Sequence, residues 1–378
     1  MTTRSTSMTS MDRHLLTHLN WPLFGLALIL LGLGVLNLYS ASGFRMEQGL
    51  AVNPFYRKQL VWGFLGLGCM VVFVLFNYRH IKLLAWPLYV FTLCLLIAVP
   101  FWGKTIGGAQ RWLSLGFFNL QPSEVAKISL LFLAARILSA KPEKLDFGEL
   151  ALILAVGLVP SLLIIAQPDL GSGMNLLLIL GGIILYRGLK PRVWKVVVVA
   201  VPALLPLGWF ALKPYQQQRI LTFLNPGEFS QGAGYQIIQS KIAIGSGGLW
   251  GKGFLGGTQS QLRFLPEKHT DFVVAVFGEE WGFVGCMVLL ALFCLFLYSI
   301  FATARDAKDR FGSFLAAGVF FYFFWQIFIN MGMVLGLMPV VGIPLPFMSY
   351  GGSAMVANFC LIGLVLNVSM RRYVFKEQ

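Results

Sequence analysis

Runs of about twenty apolar residues recur along this chain, the length a helix needs to cross a hydrocarbon core of about 30 Å. Bounded by proline, glycine and charge, they fall at about 22–40, 59–77, 83–101, 122–139, 149–167, 171–187, 193–212, 272–302, 313–338 and 351–370. The fold they predict is an all-α, polytopic integral membrane protein of about ten transmembrane helices. An outer-membrane barrel is excluded, because its strands alternate apolar and polar residues over about 10 positions and these runs do not alternate. Composition excludes a soluble enzyme: 57% of the 378 residues are hydrophobic and 12% charged, against about 45–50% and ~25% in soluble domains. The first run is too long for a signal-peptide core and lacks a small-residue cleavage site, so it is expected to remain as a helix.

The net charge is +14, but the basic residues are spread over short loops instead of forming a patch. That is the pattern of membrane insertion and anionic lipid, not of nucleic acid. An even number of spans puts both termini on one side. The tails and short loops of that side carry seventeen Lys and Arg against five in the opposite short loops, which predicts cytoplasmic termini. The expected organisation is a cytoplasmic tail 1–21, a single ten-helix membrane domain 22–370 and a second tail 371–378. A long loop, about 213–271, then lies outside between spans seven and eight. It is too long for a plain connection and too rich in apolar residues for disorder, with Tyr215, Phe223, Tyr235, Ile237, Trp250 and Phe264. It is expected to fold against the membrane interface.

Several patterns carry no site. The five cysteines lie in apolar segments at no metal or redox spacing and read as small core hydrophobes. His14 and His18 are four apart but lack a third ligand. The glycine-rich stretch from Gly245 to Gly253 has Ser246 and Gly253 where a phosphate loop needs Gly and Ser/Thr. Gly332 and Gly336 have the spacing of closely packed helices.

Ionisable residues at membrane depth are costly and mark functional candidates. Glu124 and Lys127 lie one turn apart at the start of the fourth span. They read either as a pair facing a polar cavity, or as a first-turn acid and a lysine reaching for the interface. Asp169, in Gln167-Pro168-Asp169-Leu170-Gly171, reads equally as a functional acid or as turn chemistry. The densest cluster, Arg263 to Phe272 with Glu267, Lys268, His269 and Asp271, closes the long loop where the chain re-enters the membrane. Asp271 reads as a base acting on a substrate from the lipid, or as a first-turn residue behind a Thr270 cap. Amide donors in that second setting lower a carboxyl pKa and weaken a base.

One long pattern decides among these readings. Asn330-x-Gly332-Met333-Val334-x-Gly336-Leu337-x-Pro339-Val340-x-Gly342-Ile343-Pro344-Leu345-Pro346-Phe347-x-Ser349-Tyr350-Gly351-Gly352-Ser353 resembles the signature of the SEDS family (shape, elongation, division and sporulation). Arg111-Trp112, Gln121-Pro122-Ser123-Glu124-x-x-Lys127, Gln167 to Gly171 and Leu265-Pro266-Glu267-x-His269-Thr270-Asp271-Phe272 match in the same order, so the resemblance spans all ten segments. Glu279-Glu280-Trp281-Gly282 and the short N-terminal tail look more like the rod-shape branch than the division branch.

The resemblance implies a peptidoglycan glycosyltransferase that polymerises lipid II on the outer face of the bacterial cytoplasmic membrane, for cell elongation and rod shape. It implies Asp271 as the catalytic aspartate and Glu124, Lys127 and Asp169 as polar residues of the central cavity. Arg111, Arg219, Arg263, Glu267, His269, Ser349 and Ser353 are the further substrate-binding candidates, with Lys252 as one more external cation. The resemblance fixes no cofactor; basic side chains are the first candidates for stabilising the diphosphate, and a divalent cation, Mg2+ or Mn2+, is the candidate for helping them. The expected partner is a class B penicillin-binding protein, the cross-linking transpeptidase. The alternatives are a lipid II flippase, which suits ten helices with polar residues at midplane, and a scaffold that only recruits the transpeptidase.

Overall fold

A computed structural model describes residues 19–47, 55–228 and 232–372, apart from 107, 108, 115, 117, 262, 263 and 266. All ten apolar runs are helices. In chain order they are α1 (Trp21–Glu47), α2 (Phe55–Leu75), α3 (Tyr78–Trp102), α4 (Pro122–Ser139), α5 (Phe147–Ala166), α6 (Leu170–Arg187) and α7 (Pro191–Ala211). Three shorter helices follow, α8 (Pro214–Leu224), α9 (Ala233–Gly247) and α10 (Thr258–Gln261), and then α11 (Val273–Asp306), α12 (Arg310–Val334) and α13 (Gly352–Arg371).

Among the described residues, eight of the ten are long and apolar enough to cross a membrane by length and composition. The other two are α7 and α4. The latter carries Glu124, Lys127 and Arg136 within 18 residues. It tolerates these charges because it lies at the centre, packed by α3, α6, α12 and α13, with most of its residues buried. The outer helices instead expose large apolar side chains such as Phe64, Leu83, Val199 and Phe210, a surface that only lipid covers at low cost. Cys94 and Cys294 are exposed and Cys69 and Cys286 partly so, leaving Cys360 as the one core cysteine of the five.

Helix starts follow local chemistry. The carboxylates of Asp146, Asp169 and Asp309 accept backbone N–H groups at the starts of α5, α6 and α12, and proline opens α4 and α7. Helix α12 stops at Val334 in a Schellman turn. Gly336 adopts φ 68°, its N–H reaches the Met333 carbonyl, and the Leu337 N–H reaches that of Gly332. The Gly332/Gly336 spacing is thus a helix terminus, not a helix-packing seam.

The helical membrane fold is as expected, with one short sheet added to it. Between α3 and α4 lie three strands of one antiparallel sheet, β1 (Gly103–Ile106), β2 (Ala109–Ser114) and β3 (Asn119–Leu120), in the order β1-β2-β3. Gly107-Gly108, between the paired residues Ile106 and Ala109, is the sequence signal for such a hairpin.

A correction concerns the eighth span. Gly282 has φ 65° and ψ −163°, which breaks α11 into a short half-helix, 273–281, and a long one, 283–306. The glycine-rich stretch wraps this break and splices its backbone. The Lys252 and Gly253 N–H groups reach the Glu279 and Glu280 carbonyls (both 3.0 Å), while the Phe283 and Val284 N–H groups reach those of Gly248 and Leu249 (2.9 and 3.1 Å). Broken helices in a membrane persist only where every freed backbone group is re-satisfied in this way. A Cβ on Gly251 (φ 81°) would overlap the Glu280 carbonyl, and one on Gly282 would overlap the Gly251 amide. Gly251→Ala and Gly282→Ala are each expected to cost about 2–5 kcal/mol, from a left-handed backbone plus overpacking. Thermal melting in detergent checks this, and an unchanged melt would show that the splice yields to a methyl group.

Candidate active site

The Asp271 turn is built by backbone. Glu267 sits at φ 50°, and its carbonyl accepts the N–H groups of Thr270, Asp271 and Phe272 at 3.1, 3.2 and 3.3 Å. Phe272 is the N-cap of α11 and provides no side-chain cap. The reading of Thr270 and Asp271 as helix-capping residues is therefore overturned. The Asp271 carboxylate accepts no hydrogen bond from any described residue, so it is spent on no structural task. Neighbouring segments hold the turn from behind. The Asn330 amide donates to the Asp271 carbonyl at 3.0 Å, the Ser349 hydroxyl to the Thr270 carbonyl at 2.5 Å, and the Tyr350 N–H to the His269 carbonyl at 2.8 Å.

The facing wall comes from the segment between α12 and α13. Gly342 (φ 73°) turns its bare face to the Asp271 carboxylate. Gly171, in the first turn of α6, approaches the Val341 carbonyl closely enough to exclude any side chain, which brings the preceding Asp169 to the same cleft. Arg219 of α8 donates to the Val340 carbonyl at 3.2 Å. Arg111 of β2 lies 3.7 Å from the Asp169 carboxylate and donates to the Pro168 carbonyl. Asp169 also accepts the Ser172 N–H at 3.1 Å, so it makes the turn and holds Arg111 in place. Burial pushes the Asp271 carboxyl up from 3.8 to about 6, with Glu267 adding to the rise, Arg219 and Arg111 opposing it, and Asp169 adding a smaller rise.

The remaining candidates separate by place. Glu267 is exposed and accepts the Thr270 hydroxyl at 3.1 Å. His269 stacks on Phe55 with ring centroids 4.3 Å apart. The Ser349 hydroxyl is occupied, taking the Leu345 N–H at 2.8 Å as well as donating to Thr270, and it braces the turn. Ser353 donates to the Asn119 carbonyl at 3.1 Å and accepts the Gln121 N–H at 3.4 Å, pinning α13 to the start of α4. Lys252 is held by Glu279 at 2.8 Å, together with the Thr258 hydroxyl, at the helix break, so it serves the splice and not the cleft. Arg263 lies outside the described residues.

Glu124 and Lys127 form a buried pair, Nζ to Oε1 2.7 Å, with side chains 5% and 2% exposed. The Tyr322 hydroxyl, 2.9 Å from Asn358, also reaches the second oxygen of Glu124 at 3.3 Å, and Lys127 lies 5.4 Å from the Tyr322 ring centroid. This network occupies the bundle interior, with both charged side chains almost wholly covered. The reading in which Lys127 snorkels to the interface is thereby removed. Sequence reasoning passed over the polar partners inside the apolar runs, Asn37, Gln59, Tyr322 and Asn358; their cost at membrane depth was the signal that would have found them. Among the described residues no three His, Cys, Asp or Glu side chains come together as a metal site.

Known proteins resemble this chain in sequence and fold. A family model for cell-cycle proteins of the FtsW/RodA/SpoVE type matches residues 21–374. The peptidoglycan glycosyltransferase MrdB of Escherichia coli K12 is 42% identical over 357 residues, 93% of this chain and 94% of that protein. Stage V sporulation protein E of Bacillus subtilis is 35% identical over 351 residues, 91% of this chain and 95% of its own. Among solved structures, a chain described under structural coordination of polymerization and crosslinking by a peptidoglycan synthase complex matches with a TM-score of 0.80 and 36% identity, over 94% of this chain and 98% of that one. The rod shape determining protein RodA of Thermus thermophilus matches with a TM-score of 0.69 and 30% identity over the same shares. These matches agree with the rod-shape branch expected from Glu279 to Gly282. With the family model matched over residues 21–374 and a relative 42% identical over 93% of its length, the chain belongs to the FtsW/RodA/SpoVE family, the SEDS proteins, and is a multi-pass membrane protein.

Proposed function

We propose that this chain is a peptidoglycan glycosyltransferase that polymerises lipid II, a disaccharide-pentapeptide on undecaprenyl diphosphate, with Asp271 as the general base. The observation that carries the reading is a carboxylate free of hydrogen bonds to described residues, facing Arg111 and Arg219 at one end of an apolar bundle. The names of MrdB and of the synthase complex support it.

The acceptor's GlcNAc 4-hydroxyl attacks the donor's anomeric carbon, and its proton passes to Asp271. A new glycosidic C–O bond forms as the bond from that carbon to the diphosphate breaks, and undecaprenyl diphosphate leaves. Attack opposite an α-linked leaving group gives a β-1,4 bond, so the reaction inverts. Diphosphate departs without a protonating acid, unlike the leaving group of a glycosidase. Positive charge does that work: Arg111 and Arg219 each keep N–H groups beyond those given to the Pro168 and Val340 carbonyls. On this reading, which the seventeen-to-five excess of Lys and Arg supports, this end of the bundle faces outward from the bacterial cytoplasmic membrane and both termini lie in the cytoplasm. The helices hold the lipid in the bilayer, and a class B transpeptidase works beside the chain to cross-link the strands.

Glycan-strand formation from purified lipid II tests the reading. The kcat/KM of the protein with its transpeptidase partner should fall as pH drops through about 6, where Asp271 takes up a proton. A rate that holds level from pH 7 to pH 4.5 would rule Asp271 out as the base. Arg111→Ala or Arg219→Ala should each lower kcat/KM by about 10²-fold, the usual cost of losing one preorganised charge stabiliser, and should move that acid limb upward, because each arginine holds the Asp271 carboxyl down. Labelled lipid II crossing liposomes with no polymer formed would favour transport instead.

A further inference from the structure

We propose that Asn330 and Asn37, two amides inside apolar helices, are positioning residues that set the aim of the Asp271 carboxylate. This rests on the reading of Asp271 as the base. The Asn330 side chain on α12 is fully buried, and its single NH2 group donates twice, to the Asp271 carbonyl at 3.0 Å and to the Ile343 carbonyl at 2.8 Å. Ile343 follows Gly342, the residue whose bare face meets the Asp271 carboxylate. One amide thus ties together both walls of the gap in which the carboxylate stands. Asn37 on α1, 2% exposed, grips the other side of the turn, donating to the Val273 carbonyl at 2.8 Å. One turn further along α1 the Ser40 hydroxyl donates to the Glu280 carboxylate, so the same helix face holds both ends of the half-helix 273–281.

Two features separate this from ordinary packing. Among the described residues, the buried Oδ1 atoms of Asn37 and Asn330 have no hydrogen-bond partner. Each amide is thus kept for its NH2 group alone, and a leucine of similar volume would leave the Asp271 and Ile343 carbonyls, or the Val273 carbonyl, without that donor and the turn without that grip. In addition, the Asp271 carboxylate is oriented by no described side-chain hydrogen bond, so its aim is inherited from the backbone that the amides grip. The charged groups facing it are Glu267 in its own turn, Arg111 from β2, Asp169 before α6 and Arg219 from α8. A shift of about 1 Å among such neighbours is enough to cost about 10²-fold in rate.

The test uses the full chain with its transpeptidase partner and purified lipid II, comparing wild type, Asn330→Leu, Asn37→Leu and Asp271→Asn. Rates are taken per mole of protein that elutes monodisperse. Asn330→Leu is expected to lower kcat at least about 30-fold, with KM within about twofold. Its acid limb should move down from about 6 toward the ordinary carboxylate range as the freed carboxylate relaxes toward solvent. Asn37→Leu should move the same quantities in the same direction by less. A merely structural role predicts less folded protein with unchanged kcat and an unmoved acid limb, and that result overturns the proposal. Asn330→Ser, which keeps one donor in a smaller side chain, should give an intermediate kcat and acid limb; wild-type values for it overturn the proposal even where the leucine variant does not fold. Activity retained by Asp271→Asn would instead remove the base itself, a failure distinct from that of the amides.

Discussion

Asp271→Asn is expected to lower strand formation by about 10²–10⁴-fold and at the same time to raise the protein's stability. Burial lifts the Asp271 carboxyl from 3.8 to about 6, so the folded state disfavours the ionised form. For a group whose folded pKa is raised, stability is fully present below the unfolded value and is lost as pH rises through the folded one. The cost of ionised Asp271 is therefore absent below about pH 4 and complete above about pH 6, where it reaches at most about 3 kcal/mol. The asparagine variant escapes that cost. Its melting temperature in detergent should match wild type near pH 4 and exceed it at pH 7.5. A variant that loses activity and also melts lower at pH 7.5 would mark Asp271 as a structural residue, returning the cluster to a packing role.

Breaking the buried Glu124 and Lys127 pair should have the largest effect on folding. Both charges lie inside the bundle, 2.7 Å apart and almost wholly covered. Among the described residues, Lys127→Met leaves the Glu124 charge with the Tyr322 hydroxyl at 3.3 Å alone. Removing one partner of such a pair costs about 3–5 kcal/mol, whereas replacing both by neutral groups of similar volume is close to neutral. The double variant Glu124→Gln with Lys127→Met should therefore melt within about 1 kcal/mol of wild type, while each single change melts far below it. If Lys127→Met alone melts like wild type, Glu124 has access to water or another cation, and the pair lines an open cavity instead of closing the interior.

The ten helices were legible because a membrane makes burial a property of each segment. An apolar run of the right length must be helical wherever it goes, since its backbone has no other way to pair. The expected span 122–139 coincides with α4 (Pro122–Ser139), and 171–187 lies within one residue of α6 (Leu170–Arg187). The misses are places where a short segment depends on a distant one. The break at Gly282 is invisible in the apolar run 272–302, because what permits it is the Gly248 to Gly253 backbone supplied from the preceding loop. The helices α8 and α9 and the sheet at 103–120 fall where no long apolar run signals them.

The site divides the same way. Charged residues in apolar surroundings announced Glu124, Lys127, Asp169 and Asp271 before any fold was known, since such placement costs too much to be incidental. Their roles did not follow. Asp271 and a helix-capping aspartate look alike in sequence, as do Lys252 at the helix break and Arg219 at the cleft. What the chain alone determined is an all-helical membrane bundle with a few costly charges, because hydrophobic length and charge are local properties. Which charge pairs with which, which carboxylate stays unbonded and which amides hold it in place were decided by tertiary structure, because hydrogen bonds and ion pairs act over a few ångströms between segments that only the folded chain brings together.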